Sequence, residues 1–184
     1  MGAAVAAAVL LVAPGRAQPE PPAPPPLLQV EPGQGIGPFR LQLGLQGLLA
    51  LLGRAEAERA VVDMEEATWG CTVRATGRVV RFTWRAKGLW LTADADTGSV
   101  RVLAGFGPSG PFLTDRGVRL GDPLEKVQRR YGGGAQRVDC QLPRGVRATI
   151  LRYRELGVQF VAFHGPTPYA GRVFELGVFR PGLF

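Results

Sequence analysis

The sequence contains few of the side chains that most catalytic and metal sites use. Its 184 residues include one histidine, two cysteines and two serines. A structural zinc site needs about four Cys or His ligands, so one built from those residues alone is excluded. Neither Ser99 nor Ser109 lies in a Gly-x-Ser-x-Gly turn, which argues against a serine hydrolase. The composition therefore predicts a protein without enzymatic activity, metal or cofactor.

Lysine is also scarce, at positions 87 and 126 only, while arginine is abundant and the net charge is +7. Such a balance favours contact with acidic partners or anionic surfaces, and it also arises in GC-rich genomes without any functional cause. No nucleic-acid-binding motif is present, so nucleic acid is not expected as a partner.

The N-terminal residues resemble an export signal followed by a linker. Residues 3–13 form an apolar run that is too short to span a bilayer, and Gly15-Arg-Ala17 supplies the small residues of a cleavage site. We therefore expect a signal peptide over residues 1–17 and a secreted or periplasmic protein that is not transmembrane in its mature form. The Pro-rich residues 18–35 are predicted to be a semi-rigid linker.

The remainder of the chain contains the same blocks twice, in the same order. Pairs of similar residues recur with only small changes in spacing, which indicates an internal repeat. The predicted units are residues 36–108 and 115–182, with the connector Gly107–Pro111 between them. The matched pairs include Leu45 with Leu124, Gly53 with Gly132, Cys71 with Cys140, Trp84 with Tyr153, Gly88 with Gly157, Gly98 with Gly171 and Phe106 with Phe179.

Each unit begins with a helical pattern and continues with an alternating one. Leucines recur at helical spacing from Leu45 to Leu52, and Asp122 before Pro123 is predicted to be an N-cap, with Glu125 completing a capping box. Apolar residues at every second position then predict about four antiparallel strands. The expected fold is α+β, with two tandem repeats that each pack a short helix on an antiparallel sheet.

Arginines occupy the alternate positions of these strands, so we expect one face of the sheet to be solvated and Arg-rich. Trp90 has the opposite parity from Leu89 and Leu91, which places it on that face, and the stiff loop 164–172 is a plausible contact loop. The predicted partner-binding residues are Arg81, Arg85, Trp90, Arg152, Arg154, His164, Tyr169 and Arg172.

Two further features have alternative interpretations. The triplet Asp96-Thr-Gly98 resembles that of aspartic proteases, whose chemistry needs a second copy, and a hairpin turn explains the same letters. Cys71 and Cys140 form an even pair in an oxidising compartment, so we expect a disulfide, with two buried thiols as the alternative.

The second unit has a helix that follows a Gly/Leu-Gly turn and ends at Tyr131-Gly132. A strand meander follows and ends in Val178-Phe-Arg-Pro-Gly182. This combination resembles the β-lactamase-inhibitor-protein-like group. That group includes the SmpA/OmlA small envelope proteins. The resemblance covers residues 36–182 and implies an exported, non-catalytic protein that binds another macromolecule. β-Lactamase inhibition does not carry over, because each unit here has a single cysteine.

The sequence thus predicts a module that binds another protein of the cell envelope or an extracellular protein. One alternative is a polyanion or membrane-surface binder that uses the Arg-rich sheet face. Another is a PepSY-like regulatory module, because residues 94–100 resemble the hairpin of that family.

Overall fold

The computed structural model describes residues 26–61, 65–68, 71–74 and 78–183, and the side chains of residues 57–77 lie outside that description. The fold is α+β, as predicted. The described strands are β1 (Leu28–Glu31), β2 (Gly35–Ile36), β3 (Phe39–Arg40), β4 (Ala57–Val61), β5 (Glu65–Thr68), β6 (Cys71–Arg74), β7 (Val79–Trp84), β8 (Leu89–Asp94), β9 (Val100–Phe106), β10 (Phe112–Thr114), β11 (Gln136–Gln141), β12 (Arg147–Tyr153), β13 (Val158–His164) and β14 (Val173–Val178). The described helices are α1 (Gly44–Leu52) and α2 (Leu124–Tyr131), with short 3-10 helices at Leu41–Leu43, Arg85–Lys87 and Pro143–Gly145.

Eight strands form one antiparallel sheet in the order β11-β12-β13-β14-β9-β8-β7-β4. The four C-terminal strands make up one half and the four earlier strands the other. The halves meet where β14 pairs with β9, with Val178 opposite Leu103. The strands between β4 and β7 form a separate hairpin, β5–β6, and the backbone of β6 lies against β11 at the far edge of the sheet.

One face of this sheet carries the main hydrophobic core beneath both helices. Phe82, Leu91, Leu103, Leu151 and Phe160 all project from it and are buried in the same cluster. This arrangement confirms the alternating pattern, in which Trp84 and Tyr153 were expected to lie in the core.

The opposite face is buried as well, and here the sequence prediction was wrong. Trp90, Val102, Ala104 and Phe179 form a second apolar cluster. Ala148, Ile150 and Val161 form a third. The predicted solvated face is therefore absent from the centre of the sheet, because its strands carry apolar side chains on both sides. Mostly apolar runs such as Val158–Phe163, in which Gln159 is the one polar residue, indicate strands buried on both faces.

Both helices end at a glycine, as predicted, but the predicted cap of α2 is wrong. The N-cap position is occupied by Pro123, and no side chain caps the helix. The Asp122 carboxylate accepts hydrogen bonds from the Arg119 amide (2.7 Å) and the Lys126 ammonium (2.8 Å) instead. The carboxylate therefore stabilises the turn before the helix and does not cap the first backbone amides of α2.

A smaller sheet in the order β10-β1-β2-β3 holds the start of the described chain. Its strand β1 falls within residues 18–35, and it buries Val30 completely. Parallel pairing of β1 with β10 joins this segment to the connector between the two halves of the large sheet. No helix in the described part of the chain is long and apolar enough to cross a membrane.

Candidate functional site

Two of the predicted partner-binding residues are buried and cannot contact a partner in this conformation. Trp90 and Arg152 are each 1% exposed. Both project from the second face of the sheet, as their parity required, but that face is covered. Their prediction as surface residues is therefore corrected, and their side chains belong to an internal polar row.

The polar row has members on four strands of the sheet, β12, β13, β14 and β8. The Arg152 guanidinium donates to Gln159 Oε1 from Nε (3.2 Å) and Nη2 (3.1 Å). Gln159 Nε2 donates in turn to Glu175 Oε1 at 3.4 Å. The indole N–H of Trp90 donates to Glu175 Oε2 at 2.9 Å. Burial of these polar groups is tolerated because their hydrogen bonds replace those lost with water.

Aromatic rings and one glycine complete the surroundings of this row. The Arg81 guanidinium lies 4.2 Å from the centre of the Trp90 ring, within cation–π range, and that of Arg152 lies 5.9 Å from the Phe179 ring. A Cβ at Gly177 would stand 3.0 Å from Gln159 Cγ, so the glycine leaves room for the amide. The sequence signal for this row is a polar residue within each of three mostly apolar strands, Arg152 in β12, Gln159 in β13 and Glu175 in β14.

The remaining predicted residues lie at the two ends of the sheet. Strands β7 and β13 run in the same direction, so Arg85 after β7 and the loop 164–172 after β13 share one end. Arg154 lies in the turn after β12, at the opposite end, and is exposed. The structure thus brings four predicted residues to one end of the sheet: Arg85, His164, Tyr169 and Arg172.

His164 belongs to a hydrogen-bonded cluster at this end. The Thr149 hydroxyl donates to Asp139 Oδ1 (2.6 Å) and lies 3.0 Å from His164 Nε2. Hydrogen bonds from Arg137 and then from Thr149 lower the pKa of Asp139. Because the hydroxyl proton goes to that carboxylate, the threonine oxygen can accept a hydrogen bond from His164 Nε2 in the tautomer that carries its proton there.

The loop 164–172 is held in place by backbone and side-chain contacts. The Gly171 amide donates to the Phe163 carbonyl (2.7 Å), and the Arg172 guanidinium donates to the Gly121 carbonyl (2.9 Å). The Tyr169 ring packs 6.1 Å from that of Phe174, yet the residue is 37% exposed. A positioned, partly exposed tyrosine is a typical anchor for a protein partner.

Several exposed positive charges lie at this end of the sheet. The side chains of Arg85, Lys87, Arg147 and Arg172 are all exposed at this end. The nearby acidic Asp122 and Asp139 are already paired with Lys126 and Arg137. We call Arg85, Lys87, Arg147, Tyr169 and Arg172 the sheet-end surface. Its charge and its aromatic anchor suit an acidic binding partner.

The disulfide between Cys71 and Cys140 remains a prediction. Cys140 lies on β11, next to the backbone of the strand that contains Cys71, and no free cysteine is found among the described residues. The Cys71 side chain lies outside that description. Within the same described ranges, no group of three or more His, Cys, Asp or Glu residues could hold a metal ion.

Comparison with known proteins gives no relative from which a role could be transferred. No family model, no curated protein and no solved structure matches this chain.

Proposed function

We propose that this chain is an exported, non-catalytic interaction module that binds an acidic region of another envelope or extracellular protein. The sheet-end surface is the proposed binding site. The observation that carries the proposal is the exposed Tyr169 ring at the same end of the sheet as four exposed cationic side chains. Aromatic and arginine side chains contribute most of the binding energy in many protein interfaces.

We also propose that the molecule consists of two tandem repeats, residues 36–108 and 115–182. Support comes from hydrogen bonds that occur in both halves of the sheet, between the matched residues of each half. The Leu45 amide donates to the Gly98 carbonyl, and the Leu124 amide donates to that of Gly171, both at 3.0 Å. These two bonds attach each helix to the turn before the last strand of its own half.

Two more matched pairs support the same proposal. The Trp84 indole donates to the Gly53 carbonyl at 3.1 Å, and the Tyr153 hydroxyl donates to that of Gly132 at 3.0 Å. The Phe106 amide likewise bonds to Gly88 at 2.8 Å, as the Phe179 amide does to Gly157 at 3.0 Å. Chance similarity would not place matched residues in matched hydrogen bonds, so an internal duplication accounts for them best.

Export rests on the signal-like residues 1–17, which lie outside the described residues. The alternative of a polyanion binder that uses the sheet face is not proposed further, because Arg152 is buried and Arg81 is stacked on Trp90. The resemblance to a PepSY-like module rests on residues 94–100, which form the turn between β8 and β9 and the start of β9.

The test is capture of an envelope partner by the wild type and by matched variants. We expect the double variant Tyr169→Ala/Arg85→Ala to lose a partner that the wild type retains from the native envelope fraction. The control Arg154→Ala removes one exposed arginine from the opposite end of the sheet and should retain that partner. Equal capture by all three proteins would refute the sheet-end surface as the binding site.

A further inference from the structure

The two helices bury equivalent positions but differ in the side chains that they present outward. Helix α2 exposes Glu125, Gln128, Arg129 and Arg130, as expected for a solvated helix face. Helix α1 exposes Gln46, Ala50 and Leu51 at the corresponding positions, and no residue from Leu41 to Gly53 is charged. The difference is confined to the outer face, so the core does not require it.

Leucines stand out on this outer face. Leu43, directly before α1, is 42% exposed, and Leu51 is 53% exposed. The Leu43 side chain lies over Gly47, where a Cβ would come within 2.9 Å of Leu43 Cβ, so the glycine keeps this leucine close to the helix surface. We call Leu43, Ala50 and Leu51 the leucine face. These side chains give α1 an uncharged, partly apolar outer face that α2 lacks.

The surroundings of the leucine face are cationic. Arg54 follows the helix and is exposed, and Arg180 reaches the Leu41 carbonyl at 3.5 Å from the other side. Arg40 and Arg180 line a groove of about 460 Å³ together with Leu41 and Gln42, the residues directly before Leu43. Arg40 is paired with Glu31 at 2.6 Å. The free positive charge near the leucine face therefore comes mainly from Arg54 and Arg180.

The leucine face alone is too small to form a stable protein interface. A helix of nine residues is about 14 Å long and about 10 Å wide, so its exposed face covers on the order of 140 Å², against about 800 Å² per partner in a stable complex. A lipid surface requires no such continuous area, because leucines enter the boundary between head groups and acyl chains individually while arginines attract anionic lipids.

We propose that the leucine face is a docking site for an anionic lipid membrane surface. Leu43 and Leu51 enter the acyl boundary, and Arg54 and Arg180 contact the lipid phosphates. The groove beside Leu43 accommodates a head group. The site is separate from the sheet-end surface and does not depend on the function proposed for it.

The test is co-flotation with vesicles of phosphatidylcholine that contain about 30% phosphatidylglycerol. Protein that begins at Gln18 is used, because this removes the apolar run 3–13 and retains every described residue. The key variant is Leu43→Asp/Leu51→Arg, which introduces the residue types of Asp122 and Arg130 from the matched positions of α2. Its net charge equals that of the wild type, so a loss of binding reports the leucines and not the charge.

We expect this variant to bind the anionic vesicles at least about tenfold more weakly than the wild type. A control, Leu27→Ser, removes an exposed leucine outside the leucine face and should bind as the wild type does. Binding of the wild type to pure phosphatidylcholine should be weaker, as should binding of Arg54→Gln/Arg180→Gln to anionic vesicles. Thermal unfolding of each variant confirms that it is folded.

Absence of wild-type binding to anionic vesicles would overturn the proposal, and so would equal binding by the leucine variant. A third outcome would also overturn the proposal: the wild type binds no vesicles, and the leucine variant loses a protein partner that the wild type captures. That outcome would identify the leucine face as a protein-binding site. Failure of the function proposed for the sheet-end surface can be told apart from failure of this proposal. It would be seen as unchanged partner capture by Tyr169→Ala/Arg85→Ala, and vesicle binding would not be affected.

Discussion

Substitution of Gly157 by alanine should be among the most destabilising small changes in the chain. Gly157 lies in the turn between β12 and β13 with φ +70°, a left-handed conformation that disfavours side chains. A Cβ there would overlap the Phe179 carbonyl oxygen and would stand 2.7 Å from Gly33 Cα. The turn would therefore have to move away from two neighbouring segments.

The expected cost can be assembled from the structure. The left-handed conformation costs alanine roughly 1 kcal/mol more than glycine. The Gly157 carbonyl also accepts hydrogen bonds from the amides of Gly33 and Phe179, both at 3.0 Å. Movement of the turn weakens both bonds, at about 1 kcal/mol each. We therefore expect the free energy of unfolding to fall by about 3 kcal/mol.

Gly171 provides a matched control for the conformational part of this cost. Its φ is +72°, but an added Cβ would meet no atom within 4 Å. Gly171→Ala should cost only about 1 kcal/mol. Equilibrium urea denaturation of both variants measures the difference directly. If Gly157→Ala and Gly171→Ala were equally stable, the close packing of the 154–157 turn against Gly33 and Phe179 would be refuted.

Three more predictions concern the interior and the cysteines. Trp90→Phe removes the hydrogen bond to the buried Glu175 carboxyl and should lower the free energy of unfolding by about 2 kcal/mol in urea denaturation; an unchanged stability would refute the polar row. Burial raises the pKa of Tyr131 and of Tyr153 above the ordinary phenol value. Stability should therefore be retained below about pH 10 and fall as the pH rises further, because only the unfolded phenols ionise readily there. Tyr131→Phe should flatten that decline, and an identical alkaline profile would contradict the assignment. Alkylation of the unreduced, denatured protein should add no mass if the two cysteines are bonded, whereas two added groups would exclude the disulfide.

The α+β class and most of the core could be predicted from local pattern. The helical spacing of Leu48 and Leu52, and the alternation of Phe82 with Trp84, identified side chains that are buried in the structure. Glycines at 53 and 132 marked the ends of both helices correctly. These signals are local, because period and left-handed conformation depend on a few consecutive residues.

The candidate site was only partly predictable. Exposed Tyr169 and Arg172 were identified from a stiff loop with aromatic and basic residues, which is a surface signal. Trp90 and Arg152 were misplaced because alternation shows which side chains share a face but not whether that face is covered. Gln159 and Glu175 were missed, since a buried polar group is explained only by partners on other strands.

The sequence by itself determined the α+β class, the two helices and the glycines that end them, because each depends on the order and chemistry of neighbouring residues. Only the tertiary structure decided that both faces of the central sheet are buried and that Arg152, Gln159, Glu175 and Trp90 form one row. It also decided that Arg85 and Tyr169 share one end of the sheet. Burial and proximity between distant residues depend on how strands are ordered and covered, which no local pattern encodes.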